Sequence, residues 1–184
     1  MQCLLSTINQ LLSGNMKDTH KRKTSAENLR ENIDLAKFKH SLASRVRTYD
    51  VDRQNIVHNA VYLYWLEVGR IEYFRSLGLP IDAQTFVTKH HFVVAHVEID
   101  YLGAARFDDE YEVLTRTVFM KNSSFGIEQI IRLINGDILL HANAVIVNLN
   151  PARQTSERIS DSYRKLVQEF EGADMAILTD EKKA

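Results

Sequence analysis

The segment RTYDVDRQNIVHNAVYLYWLE, Arg47 to Glu67, sets two carboxylates, Asp50 and Asp52, just ahead of a strongly apolar helical run. A turn-like stretch, Arg53-Gln54-Asn55, separates them from the His58-Asn59 pair that opens the helix. A helix N-terminus carries N–H groups without intrahelical partners and a partial positive charge, so it can polarise a carbonyl held beside it. A carboxylate in the preceding loop can then attack that carbonyl or activate a water against it. A loop aspartate also has a plain structural use, as an acceptor for turn amides, and Asn59 is a good N-cap residue. Residue types alone leave both uses open.

Other residues join or fail to join this set. His58, as a histidine beside the helix start, is a candidate to assist proton transfer. Asp50 lies two residues from Asp52, and on an extended strand the two would point the same way; a supporting role in the loop is expected for it. Glu67, on the helix, is a second acid, expected to pair with a nearby arginine. His90, His91 and His96 cluster in sequence, but on a strand His91 and His96 face opposite sides. No cysteine or paired acid completes a zinc set, so no metal is expected. The Gly-x-Ser-x-Gly elbow of serine hydrolases is absent, and Cys3 has no held base beside it.

The elements that must position these residues are legible from pattern. Leu42–Tyr49 alternates and predicts a first strand. Asn59–Leu77 predicts a helix apolar around much of its first half, hence buried, stopped by Gly78 and Pro80. Val93–Tyr101 predicts a half-buried strand with Val93, Ala95, Val97, Ile99 and Tyr101 on one face. Tyr111–Phe119, Phe125–Ile134 and Leu139–Leu149 predict three more, joined through Asn122-Ser123-Ser124 and the stronger hairpin signal Asn135-Gly136. Ser160–Phe170 predicts a polar C-terminal helix, and Thr24 with Glu27 has capping-box spacing for a short N-terminal one. One buried helix followed by an antiparallel meander is an α+β arrangement, the sheet wrapped around the helix. Such a sheet leaves an edge strand unprotected, so pairing between two copies is expected.

Composition bounds the rest. The 184 residues, 45 % of them apolar, fit one ordinary domain with an extension. A net charge of −1 supplies no basic field for nucleic acid, and KDTHKRK (Lys17–Lys23) reads as a solvated link. The single cysteine, Cys3, fits a reducing compartment. No apolar run reaches bilayer length, and MQCLLSTINQLL makes a poor secretory signal, so a cytoplasmic location is expected.

The Asp50-Val51-Asp52 pair, Asn55, Asn59 and Tyr62 together resemble the signature of hot-dog-fold acyl-CoA thioesterases of the 4-hydroxybenzoyl-CoA thioesterase type. The segments HFVVAHVEIDYLGAARFDDEYEVLT and NGDILLHANAVIVNLNP are similar to that family's later strands, and the resemblance runs over roughly Lys39–Gly172. It implies a five-stranded antiparallel sheet around a long central helix in residues 39–172, between an N-terminal extension (1–38) and a tail (173–184). It implies hydrolysis of an acyl-CoA to free acid and coenzyme A without cofactor or metal. Asp52 would be the nucleophile or general base, the Asn59 N–H would polarise the thioester oxygen, and His58 would assist proton transfer. Tyr62 would line the pocket, Lys121 would meet the coenzyme A phosphates, and Arg106 is a second candidate for that contact. The family's active sites lie at a subunit interface, so a homodimer or homotetramer is expected. Asn55 stands where glycine is common, and Gly103-Ala104 replaces the frequent Ala-Pro. These departures keep two alternatives open: a non-catalytic acyl-CoA-binding or assembly module, and a thioesterase acting on acyl carrier protein.

Overall fold

The computed structural model describes residues 24–82, 84 and 91–178; the expectations placed on Cys3, Lys17–Lys23 and His90 lie outside them. The chain divides into two units, Met1–Ile33 and Asp34–Ala184. In the first, α1 (Ser25–Asn32) starts at the expected capping box: Thr24 Oγ1 accepts the Glu27 N–H, and Glu27 accepts the Thr24 N–H.

The second unit holds the sheet. In chain order it comprises β1 (His40–Arg45), α2 (Asn59–Ser76), β2 (Phe92–Tyr101), β3 (Glu110–Met120), β4 (Ser124–Leu133), β5 (Ile138–Asn150), β6 (Thr155–Ser156), α3 (Asp161–Glu171) and β7 (Ala176–Ile177). Five strands run antiparallel in the order β1-β3-β4-β5-β2. The short β6 adds to β5, and β7 lies parallel to the end of β3. Gly136 turns the β4–β5 hairpin at φ 105°, as Asn135-Gly136 predicts. Gly78, at φ 84°, ends α2.

Helix α2 packs its inner face on the sheet in two apolar clusters. Tyr62, Trp65 and Leu66 meet Val46, Val57, Tyr111, Val113, Ile131 and Leu140. Tyr73, Phe74 and Leu77 meet Met120, Phe125, Ile127 and Ile146, together with Tyr163 and Val167 of α3. A polar layer lies between them: Arg70 donates to Gln129 Oε1 at 3.0 Å, and the Gln129 amide donates to the Leu66 carbonyl and to Thr115 Oγ1. Gly69 is required there, because a Cβ would stand 2.6 Å from Val113 Cγ1.

Four expectations are corrected. The first strand ends at Arg45 rather than Tyr49, because the Asp50 carboxylate accepts the Arg47 N–H at 2.7 Å and winds Thr48–Asp50 into a 3-10 turn. Helix α2 is not buried all round: Tyr64 and Val68 stay 69 % and 51 % exposed, since the sheet covers one face only. Strand β2 is a sheet edge with a bulge between Val94 and His96, so Val93, Val97 and Tyr101 are exposed rather than half-buried. Helix α3 is amphipathic rather than polar, burying Tyr163, Val167 and Glu171 at i, i+4 and i+8.

Candidate active site

The loop after the 3-10 turn is a tight reversal closed by an antiparallel bridge between Val51 and Val57. Within it the Asp52 N–H donates to the Ile56 carbonyl at 2.9 Å, and the Asn55 N–H donates to the Asp52 carbonyl at 3.0 Å. Asn55 takes φ 58°, a left-handed conformation that asparagine tolerates better than most residues. The reversal lays the two flanks side by side, with the Asp50 carbonyl against the His58 N–H at the start of α2 and Asp52 nearer the turn, opposite Ile56. One Asp52 carboxylate oxygen accepts the Gln54 N–H at 2.7 Å, an Asx turn that fixes the half-buried Asp52 beside the exposed tip of the loop. The Asp50 carboxylate is spent on the Arg47 N–H instead. The two acids therefore do not share one face of an extended strand, because the 3-10 turn breaks that geometry.

His58, not Asn59, is the N-cap of α2: its Nδ1 accepts the Ala60 N–H at 3.2 Å. With Nδ1 an acceptor, the proton of the neutral ring sits on Nε2. The peptides here are pinned one by one. The His58 N–H donates to the Asp50 carbonyl, and the His58 carbonyl accepts the Val61 N–H, both at 2.9 Å. The Ala60 N–H goes to the His58 ring, and the Asn59 carbonyl accepts the Tyr101 hydroxyl at 3.1 Å. The Asn59 N–H alone in this run has no partner among the described residues. It is a free donor, fixed at the positive end of a helix of 18 residues.

Tyr62 is 2 % exposed, and its hydroxyl accepts the Ala105 N–H at 3.1 Å. Burial raises its phenol pKa above the ordinary value, so it acts as a neutral hydrogen-bonding group that ties the β2–β3 link to α2. The Ala105 carbonyl in turn accepts the Val57 N–H at 2.9 Å. The start of α2, Tyr62 and the Ala105–Arg106 link are thus one neighbourhood, with Asp52 in the loop that leads into it. Arg106 is exposed there, its N–H donating to Asp109, while Arg45 rather than Arg106 takes the Asp108 carboxylate at 3.2 Å. Glu67 pairs with Arg70, as expected of it. Lys121 is not part of this group. It follows the far end of β3, an 11-residue strand on the order of 30 Å long whose other end leads to Arg106.

Sequence reasoning misses Tyr101 and Trp65. In the sequence Tyr101 is one of an alternating set, and its hydroxyl contact is set by the fold. Trp65 stacks on Tyr111 with centroids 3.9 Å apart and forms part of the wall of a cavity of about 680 Å³ between β1 and α2, with Leu42, Asp50, Val61 and Val68. That cavity is walled by Asp50 rather than Asp52, so it does not open on the Asp52 side chain within a single chain. A loop carboxylate that precedes a helix with a free first N–H is a donor set suited to attack on, or hydration of, an activated carbonyl.

Comparison with known proteins gives the same class of chemistry. Residues 54–139 match the thioesterase superfamily, a span that takes in His58, Asn59, Tyr62, Arg106 and Lys121 and begins just after Asp52. The chain is 34 % identical over 107 residues to the acyl-CoA thioesterase YbgC of Haemophilus influenzae, covering 58 % of this chain and 77 % of that protein. It is 25 % identical over 139 residues to the chloroplastic acyl-acyl carrier protein thioesterase ATL3 of Arabidopsis thaliana, covering 75 % of this chain and 72 % of that one. Among solved structures, a thioesterase from Thermus thermophilus complexed with coenzyme A and Zn superposes with a TM-score of 0.66. It is 31 % identical, with 75 % of this chain and 98 % of that chain covered.

Proposed function

The chain belongs to the thioesterase superfamily, with the hot-dog fold, and from that premise we propose that it hydrolyses acyl-CoA thioesters to the free acid and coenzyme A through Asp52 and the Asn59 N–H. The single observation that supports the reading is the free Asn59 N–H, fixed at the start of the helix that the Asp52 loop leads into. The thioester oxygen binds at that N–H, where the negative charge of a tetrahedral intermediate is stabilised as it develops. Asp52 either attacks the carbonyl carbon, giving a mixed anhydride and releasing the thiolate, or takes a proton from a water that attacks instead. In the first course a water then opens the anhydride and regenerates the carboxylate. His58, with its ring proton on Nε2, can hydrogen-bond the departing sulfur and so assist the transfer to it of the proton that comes from water.

Self-association follows from the edge. Val93, Val94, Val97 and Tyr101 leave β2 with 39–49 % of each side chain exposed and one row of main-chain groups unpaired. Two copies paired along β2 form a dimer, and a contact between Lys121 and the coenzyme A phosphates is then made from another subunit, since Lys121 lies at the wrong end of its own β3. Arg106, beside the loop, is the nearer candidate for such a contact. Tyr62 supports the pocket through Ala105. The single cysteine fits a reducing, cytoplasmic setting, and no helix among the described residues is long and apolar enough to cross a membrane.

The test is thiol release from short-, medium- and long-chain and aromatic acyl-CoAs. Release from at least one class is expected. Saturable binding of acyl-CoA with no release from any would support the binding-module alternative. Release only from acyl carrier protein, the substrate named for the Arabidopsis relative, would move the assignment to that carrier.

A further inference from the structure

Tyr101 is the last residue of β2, paired with Leu140 of β5. Directly after it, the N–H groups of Leu102 and Gly103 both donate to the Leu139 carbonyl, at 2.8 and 3.0 Å, so the strand end is fastened to the sheet. The Tyr101 ring stands edge-on to Tyr62, centroids 5.8 Å apart at 76°, and Tyr62 is itself anchored through Ala105. Although the side chain is 49 % exposed, its hydroxyl turns inward and donates to the Asn59 carbonyl at 3.1 Å.

That carbonyl and the Ala60 N–H are the two ends of one peptide group. His58 holds the N–H end from within the helix cap, and Tyr101 holds the carbonyl end from the sheet. The peptide before it carries the free Asn59 N–H, and its own carbonyl is held by Val61. First turns of helices fray, and an oxyanion donor is effective only when its direction is fixed before the charge appears. The Val57 N–H ties the preceding loop to the Ala105 carbonyl of the β2–β3 link, and the remaining bonds at the helix start are local to the Asp50–Val61 segment. Tyr101 is the side chain that refers the first helical peptide itself to a strand of the sheet.

We propose that Tyr101 is a positioning residue for the reaction: its hydroxyl clamps the first peptide of α2 so that the Asn59 N–H points at the thioester oxygen. The assignment rests on the reading of that N–H as the oxyanion donor. Because Tyr101 lies on the edge strand, it also makes the geometry of the helix end depend on β2 being in place.

Tyr101→Phe removes one oxygen and keeps the ring against Tyr62. Steady-state thiol release by Tyr101→Phe should show kcat lowered roughly five- to tenfold, the scale of one hydrogen bond read at a transition state, with KM and thermal midpoint unmoved. A second measurement uses a ¹³C-carbonyl thioester bound to Asp52→Asn, with and without Tyr101→Phe. The infrared carbonyl band, lowered on binding by the Asn59 N–H, should move back toward its free position when the hydroxyl is lost. An unchanged kcat, or a loss of kcat that tracks thermal stability with no movement of the band, overturns the assignment. Full turnover by Asp52→Asn would instead overturn the reading of the site on which it rests.

Discussion

The Tyr73 hydroxyl donates to Glu171 Oε1 at 2.6 Å in the interior of the protein, joining the last turn of α2 to the end of α3. The same oxygen accepts the Thr117 N–H at 2.8 Å, while Oε2 is buried without a partner among the described residues. Burial raises the Glu171 pKa above the ordinary carboxylate value, against the weaker opposing pull of Tyr73, Thr117, Lys39 and Arg116. A folded-state pKa above the unfolded one gives stability that is complete below the ordinary carboxylate range and lost as pH rises through the raised value. Thermal midpoints of the wild type should therefore lose this contribution as pH rises above the ordinary carboxylate range. Glu171→Gln keeps the acceptor for Tyr73 and Thr117 without the charge, and should fall less, lying about 2–4 °C above the wild type at the alkaline end. Parallel curves would contradict this.

Phe119 faces Gly126 across the β3–β4 pair, and a Cβ on Gly126 would enter the Phe119 ring. Gly126→Ala should cost about 1–3 kcal/mol as an overpacking substitution. Gly126→Ala with Phe119→Leu should recover part of the loss. Chemical denaturation of the two variants measures both.

The loop reversal depends on Asn55 at φ 58°. Glycine there should hold stability and turnover close to wild type. Valine, β-branched and strained at positive φ, should cost about 1–2 kcal/mol and lower thiol release. Equal behaviour of Asn55→Gly and Asn55→Val would show that the conformation of this turn does not matter.

An aspartate in the middle of the exposed β2 edge opposes pairing by like charge. Val97→Asp, at a position 39 % exposed, should shift the protein toward monomer in sedimentation and reduce turnover with it. A monomeric, fully active Val97→Asp would remove the dimer from the account.

Much of the fold is legible in the sequence because it is local. The Thr24–Glu27 box, the stop at Gly78 and the Asn135-Gly136 hairpin each need only a few neighbouring residues, and all three are found. The loop–helix arrangement around Asp52 and Asn59 is legible for the same reason. What pattern cannot give is whatever depends on pairing. The exposure of β2 comes from its place at the sheet edge. Glu171 looks like a solvated helix residue until α3 is laid on Tyr73 and Thr117. Tyr101 and Asn59 lie 42 residues apart, and only the fold makes them partners.

The central claim is that Asp52 does the chemistry, and the direct test is thiol release by wild type and Asp52→Asn on the same acyl-CoA panel. Asparagine can still accept the Gln54 N–H but cannot attack a thioester or take a proton. The account predicts a drop of at least about a thousandfold in kcat, with acyl-CoA binding and thermal stability retained. Turnover by Asp52→Asn within tenfold of wild type would contradict it.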